Sequence, residues 1–156
     1  MDFTELLARF TAAVEAGDGD ALAALFAPNG VYHDNFYGAF RGPAAIKNML
    51  EGHFHRDAEH FLWDMADPVF DGRTGYASWI FSYGSRMAGS EGRRVVFEGM
   101  SRWVVTDGLI ETYDEVFSAG VGLVQLGMDA ERIARILTRQ AARTLEKDIA
   151  RRHVAG

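Results

Sequence analysis

The sequence predicts an α+β fold: a strongly curved, cone-shaped antiparallel β-sheet, N-terminal helices that close a deep apolar pocket, and an appended C-terminal helix. Three observations predict it. Apolar residues recur at helical spacing from Phe3 to Phe54. From His60 to Phe117 aromatic and β-branched residues dominate, punctuated by Asp71-Gly72, Gly89 and Asp107-Gly108 at intervals suited to a meander. After Asp129 the helical period returns. Helices followed by a run of strands make an arrangement in which the helices cover one sheet face.

Phe3, Leu6, Leu7, Phe10 and Val14 give a first helix over 3–16, stopped by Gly17, a residue suited to the left-handed position after a helix. Asp18 caps a second helix, 18–27, whose stripe is Leu22, Leu25 and Phe26 and whose end is set by Pro28. A turn at Asn29-Gly30 leads into a short strand from Val31 to Asp34. Pro43 opens a third helix, 43–55, where its missing N–H costs nothing, and Ile46, Met49, Leu50 and Phe54 form the inner stripe. Four strands follow at 60–70, 74–87, 92–106 and 109–118, with Asp107-Gly108 the clearest hairpin turn. Residues 129–150 form a helix capped by Asp129, with Ile133, Ile136, Leu137, Ala141 and Leu145 on one face. No repeat, linker or low-complexity tract interrupts the chain, so its 156 residues read as one domain with a core over 3–118 and a helical extension over 120–156.

Composition excludes several function classes. There is no cysteine, which rules out disulfides, thiolate nucleophiles and thiolate metal sites, and fits a cytoplasmic protein. No apolar run approaches the ~18 residues of a membrane span. A formal charge of −6 speaks against a nucleic-acid partner, which calls for a basic face. The charge is uneven, however: from Asp129 onward it is +3, against −9 before. That basic tail either docks on something acidic or is the solvated face of an amphipathic helix. Phosphate loops, dinucleotide fingerprints and nucleophile elbows are absent, so no bound cofactor is indicated. His53, His55 and His60 with Glu59 are spaced badly for a metal, because residues two apart on a helix lie on nearly opposite faces; no metal is expected.

The stretch from Phe26 to Gly42 holds the expected site. Period two puts Tyr32 and Asp34 on one strand face, followed by Phe36, Tyr37 and Phe40. A carboxylate among so many rings is either a solvated loop residue or a desolvated general base. On the last strand Tyr113, Glu115 and Phe117 share a face and Glu115 is expected to point into the pocket; a register slip of one residue would send Asp114 inward instead. Phe10, Phe36, Tyr37, Trp63, Trp79, Trp103, Tyr113 and Phe117 are the expected wall of the pocket, the tryptophans serving either as stacking surfaces or as core.

Several short motifs in a fixed order carry a resemblance. They are Ala16-Gly17-Asp18 with Leu25-Phe26-Ala27, Val31-Tyr32-His33-Asp34, Phe40-Arg41-Gly42 with Ala45-Ile46, and Asp107-Gly108-Leu109-Ile110 running into Tyr113–Phe117. In this order they resemble the nuclear-transport-factor-2-like superfamily, in its SnoaL-like and ketosteroid-isomerase-like branch. The resemblance implies a conical pocket for a small apolar ligand, cofactor-independent isomerase, cyclase or hydrolase chemistry, and a homodimer formed through the sheet. It places the isomerases' general base on Asp34. Their oxyanion-hole tyrosine falls on Phe10 and their protonated aspartate near Gly99, Met100 or Ser101, so neither donor is present and a stabilisation worth roughly 3 to 4 kcal/mol per donor is missing. Against the fold's epoxide hydrolases, Tyr32 and Asp34 fall on the first-strand pair and Glu115 on the last-strand aspartate, while Trp79 and Phe81 stand where that chemistry needs arginine and aspartate. The implied catalytic set is Asp34, Tyr32 and Glu115; the same pocket without turnover would make a ligand-binding module.

Overall fold

The computed structural model describes residues 2–155. Helix α1 (Phe3–Ala16) starts on Asp2, whose carboxylate accepts the Glu5 N–H at 2.7 Å, and ends on Gly17 at φ 69°, where the Gly17 N–H reaches back to the carbonyls of Ala13 and Val14. Its inner stripe is the predicted one, with Phe10 and Val14 wholly buried. Helix α2 is only Gly19–Ala23, capped by Asp18. The expected helix over 18–27 is therefore too long, because strand β1 (Phe26–Asp34) already begins at Phe26.

Asn29 and Gly30, expected to form a turn, instead lie with Pro28 in an irregularity inside β1: Phe26 pairs with Ile110 and Val31 with Thr112, so the extra residues bulge from the ladder. Proline offers no N–H to a sheet and is tolerated at such a bulge. Strand β2 (Gly38–Arg41), a short antiparallel partner of β1, had no signal of its own in the sequence. Helix α3 (Pro43–Met49) has its proline at the first turn and runs on through a π-helical turn, Leu50–Phe54, into a single turn α4 (His55–Asp57).

Strands β3 (Ala58–Phe70), β4 (Thr74–Ser85), β5 (Arg94–Thr106) and β6 (Leu109–Phe117) match the predicted meander to within two residues. Asp107 and Gly108 both have positive φ, as a tight two-residue hairpin turn demands. The six strands form one curved, unclosed sheet in the order β2-β1-β6-β5-β4-β3. The sheet is antiparallel, as expected, with one exception: β1 runs parallel to β6. The two strands are far apart in sequence and joined by the whole helix-and-meander crossover, so their direction was not set by any local turn.

After β6 come α5 (Ala119–Gln125), α6 (Ala130–Leu145), a 3-10 turn at Asp148–Ala150 and α7 (Arg151–Val154). Asp129 caps α6 by accepting the Arg132 N–H at 2.8 Å. The helix stops at Leu145 rather than near 150, and none of its residues is fully buried. Helix α5, which the sequence reading missed, packs Gly122 against Phe97 so closely that a Cβ there would overlap the ring.

The core lies between α1 and the concave face of the sheet. Phe10 is its centre, with rings of Phe26, Tyr32, Trp63, Trp103 and Tyr113 at centroid distances of 5.0 to 6.4 Å. The same alternation that points these residues inward leaves Leu62, Ile80, Val96, Met100 and Val116 exposed on the opposite face.

Candidate active site

Register decides what faces the interior. Trp63 pairs with Phe81 and Phe81 with Phe97; Trp79 pairs with Gly99 and Gly99 with Phe117; Ser101 stands between Ala77 and Glu115. Because inward residues lie opposite inward residues, these rows build one apolar wall. Gly99 leaves room for the Trp79 indole: a Cβ there would come within 2.5 Å of it. Between the lining rings a cavity of about 70 Å³ remains. That is several times the ~10 to 15 Å³ a single buried water requires.

Eleven of its sixteen lining residues are aromatic. Tyr32 comes from β1, Phe36 and Tyr37 from the turn after it, Phe54 from the π-helical turn, and the remaining rings from β3 to β6. Of the predicted wall, Phe36, Tyr37, Trp63, Trp79 and Phe117 line the cavity together with Tyr32, Asp34 and Glu115. Phe10, Trp103 and Tyr113 are not among the lining residues; all three are 0 % exposed and pack behind the wall as core. The Phe36-Tyr37 turn and the segment Phe54–Ala58 supply lining residues, whereas helices α1 and α2, expected to close the pocket, supply none. Sequence reading passed over Phe54, Phe61, Phe81, Tyr83 and Phe97, although period-two alternation along β3, β4 and β5 marks four of them.

Asp34 is 8 % exposed. Its Oδ1 accepts the N–H groups of Phe36 at 2.8 Å and Tyr37 at 2.6 Å, and among the described residues no hydrogen bond reaches Oδ2. Burial lifts its pKa to about 6; those two N–H bonds, Arg143 and His53 pull the other way. Glu115 points inward, as expected, while Asp114 on the opposite face pairs with Arg102 at 3.1 Å and lies 4.0 Å from His33. The Asn35 N–H donates to Glu115 Oε1 at 3.1 Å and the Tyr113 hydroxyl donates to Oε2 at 2.8 Å. Burial, then the charge on Asp34, raise the Glu115 pKa to about 8.

A chain of donors supports Glu115. The Trp79 Nε1–H donates to Ser101 Oγ at 2.8 Å, and Ser101 Oγ lies 2.9 Å from the Tyr113 hydroxyl. An indole nitrogen only donates, which leaves the serine proton free for Tyr113 and the tyrosine proton for Glu115. Ser101 is one of the three positions onto which the isomerase aspartate was mapped. Among the described residues the Tyr32 hydroxyl and the Trp63 Nε1–H are buried without a hydrogen bond of normal geometry; burial, then the charges of Glu115 and Asp34, push the Tyr32 pKa up, and the neighbouring Tyr113 hydroxyl pulls it the other way. Asp57, the third acid on the wall, is already committed: Arg56 clamps it at 2.6 and 2.7 Å and the Tyr37 hydroxyl donates to it at 2.6 Å, holding its carboxyl below the usual range.

The basic C-terminal helix meets this site from outside. Gln140 and Arg143 donate to the Asn35 carbonyl at 3.3 and 3.4 Å, and a cleft between α6 and the strand ends is lined by His33, Asp34, Glu115 and Phe117 opposite Leu137 and Lys147. The histidines are used structurally, His55 Nε2 donating to the Val14 carbonyl at 2.9 Å and His53 Nδ1 lying 3.3 Å from the Asn48 carbonyl. Among the described residues no cluster of three potential metal ligands occurs.

Residues 7–113 match the SnoaL-like domain family. No curated protein matches the chain. Among solved structures, a protein of ketosteroid-isomerase-like fold from Catenulispora acidiphila, in complex with trimethylamine, is 18% identical, with a TM-score of 0.73 over 81% of this chain and 95% of that one. TsrD from Streptomyces laurentii is 21% identical, TM-score 0.69, over 81% and 98% of the two chains. An epoxide hydrolase from M. tuberculosis, like the limonene-epoxide hydrolases, is 19% identical, TM-score 0.63, over 86% and 92%. With residues 7–113 matched and the order of helices and strands shared with these structures, the chain belongs to the SnoaL-like domain family, within the nuclear-transport-factor-2-like superfamily.

Proposed function

We propose that the chain binds a small, mostly apolar metabolite in the aromatic cavity and carries out acid–base chemistry on it, of the isomerase, cyclase or hydratase type. Asp34 is the general base and Glu115 the proton-bearing partner. One observation carries this reading: two carboxyl groups on one dry wall, raised to about 6 and about 8. Asp34 loses its proton first, and its charge then helps Glu115 keep the second. Near neutral pH the pair therefore holds one proton, with a base and an acid facing the same space. The unpartnered Tyr32 hydroxyl is available to donate to a ligand oxygen, in place of the isomerase donors that Phe10 and Ser101 do not supply. That a protein of this fold holds trimethylamine supports a small ligand for the cavity.

The expected pH–rate profile is bell-shaped, rising through about 6 as Asp34 ionises and falling through about 8 as Glu115 loses its proton. Following proton transfer by NMR across a panel of small cyclic ketones, enones and epoxides would test it, and Glu115→Gln should abolish the bell. A profile with no ascending limb would sink the assignment of Asp34. Phe10, wholly buried where the isomerases hold a donor, favours a second reading in which the cavity holds its ligand without turnover.

The outer sheet face supports a homodimer. Its apolar side chains are well exposed, Val116 to 77 % and Met100 to 52 %, in a contiguous patch with Ile80. A second copy covering that patch would show as a dimer mass in light scattering at micromolar concentration, and Met100→Glu should return the monomer. A wild-type monomer at that concentration would count against it.

A further inference from the structure

We propose that the ligand of the aromatic cavity is a small organic cation, a protonated amine or a quaternary ammonium, held by ring faces and by the carboxylates of Asp34 and Glu115. The inference names the substrate class of the site just described; it rests on the cavity being the ligand site, and not on turnover.

The argument starts from the charge of the walls. Three of the sixteen lining residues are acids and none is lysine, arginine or histidine. Asp57 is satisfied by Arg56 and Tyr37. Asp34 and Glu115 have no such cation: neither forms an ion pair among the described residues, Glu115 accepts only from the neutral Asn35 N–H and Tyr113 hydroxyl, and Asp34 Oδ2 accepts nothing. A buried acid without a cationic partner carries an uncompensated desolvation penalty, which shows here as protons held well above the ordinary range.

Each ligand class acts differently on that penalty. An anion is repelled by both the acids and the negative faces of the rings. A neutral apolar ligand offers the acids no counter-charge and leaves the penalty in place. A cation supplies the missing partner and at the same time meets aromatic faces, the arrangement by which quaternary ammonium groups are recognised. Trp63, Trp79, Phe81 and Phe117 stand edge to face or tilted against one another at centroid distances of 4.8 to 5.8 Å; Phe81 stacks on Phe61, and the faces of Trp63, Trp79 and Phe117 are in no parallel stack among the described residues. The unpartnered Tyr32 hydroxyl adds a donor for whichever carboxylate the cation ionises.

Other charged groups modulate this without replacing the cation. Around Asp34 are Tyr37, His53 on the π-helical turn, Tyr83 on β4 and Arg143 on α6; Tyr32, Asp57 and Tyr113 also face the pair, and His33 and Lys147 line the outer cleft beside it. His53 and Arg143 lower the Asp34 pKa through space, yet neither lines the cavity, and Arg143 is engaged by the Asn35 carbonyl. Binding of a cation must therefore expel a proton from the pair wherever the pair still holds one, and affinity must rise with pH.

The test uses the full chain and two probes of the same shape, choline and its neutral carbon isostere 3,3-dimethylbutan-1-ol, by isothermal titration calorimetry. Choline is expected to bind at least about ten-fold more tightly than the isostere at about pH 8, with affinity falling as pH drops toward about 5. Its observed heat should differ between buffers of unlike ionisation enthalpy, which reports proton release. Asp34→Asn combined with Glu115→Gln should remove the preference for choline and leave the isostere unaffected. If that variant does not fold, the two-probe comparison on the wild type still decides. An isostere that binds as well as choline, or no choline binding at about 10 mM, overturns the inference. Cation binding with no Asp34-dependent rate on any substrate would sink the acid–base reading alone; turnover of a neutral ketone by a chain that ignores choline would sink the cation inference alone.

Discussion

Asp34→Asn should cost the chain about two to four orders of magnitude in turnover while making it more stable at neutral pH. The amide keeps the carboxylate's shape, and its oxygen still accepts the Phe36 and Tyr37 N–H groups that hold the turn. It cannot take a proton, so the proposed base would be lost while the fold is kept. The stability change follows from the direction of the pKa shift. An aspartate at about 3.9 in the unfolded chain stands at about 6 in the folded one. Between those values the native state binds more protons than the unfolded state, so wild-type stability falls as pH rises through the window. Below about pH 4 both forms are neutral at this position and should melt together. Above about pH 6 the wild type carries the full cost, at most about 3 kcal/mol for a shift of this size, and asparagine carries none. Removing the Asp34 charge should also let Glu115 titrate lower, since that charge helps hold its proton. Melting temperatures of both forms across this pH range check the claim, and a wild type at least as stable as the variant at every pH would falsify a desolvated Asp34.

Phe10→Ala should be the most damaging single truncation, costing about 3 to 5 kcal/mol. Phe10 is 0 % exposed and its ring meets five others, so the deletion opens a void that the stiff neighbours, two of them tryptophans, fill poorly. A domain of this size has only about 5 to 15 kcal/mol in total, so a large fraction of its stability is at stake. Urea unfolding midpoints would measure it, and a loss below about 1 kcal/mol would contradict the central place given to this ring. The milder Phe10→Leu separates core from ligand wall. Because Phe10 does not line the cavity, that variant should keep choline affinity while losing stability; loss of binding in a folded Phe10→Leu chain would make Phe10 a ligand contact after all.

The chain's own order of residues determined most of the frame. Helix α1 and strands β3 to β6 were legible because each is long, strongly periodic and ended by residues with a steric reason to end it: Gly17 at positive φ, Asp71-Gly72, Asp107-Gly108. Period two on β1 and β6 put Tyr32 and Asp34 on one face and Glu115 on the inward one. What failed was short or non-local. Helix α2 was extended through residues that β6 recruits into β1, because pairing with Ile110 and Thr112 outweighs the weak helical preference of a few residues. The parallel β1–β6 contact, the small strand β2 and the fit of Gly122 on Phe97 depend on segments distant in sequence, for which no local pattern exists. The site divides the same way. That it would hold a carboxylate among aromatic rings was visible in residues 26 to 42. Which rings line the cavity was not: Phe10, Trp103 and Tyr113 have the same residue types and periodicity as the cavity wall, and only the closure of α1 over the sheet makes them core. Nor does sequence say that Asp34 and Glu115 line one apolar cavity with no lysine, arginine or histidine among its lining residues. Strand register and burial decide that, because desolvation depends on everything packed around a group rather than on its neighbours along the chain.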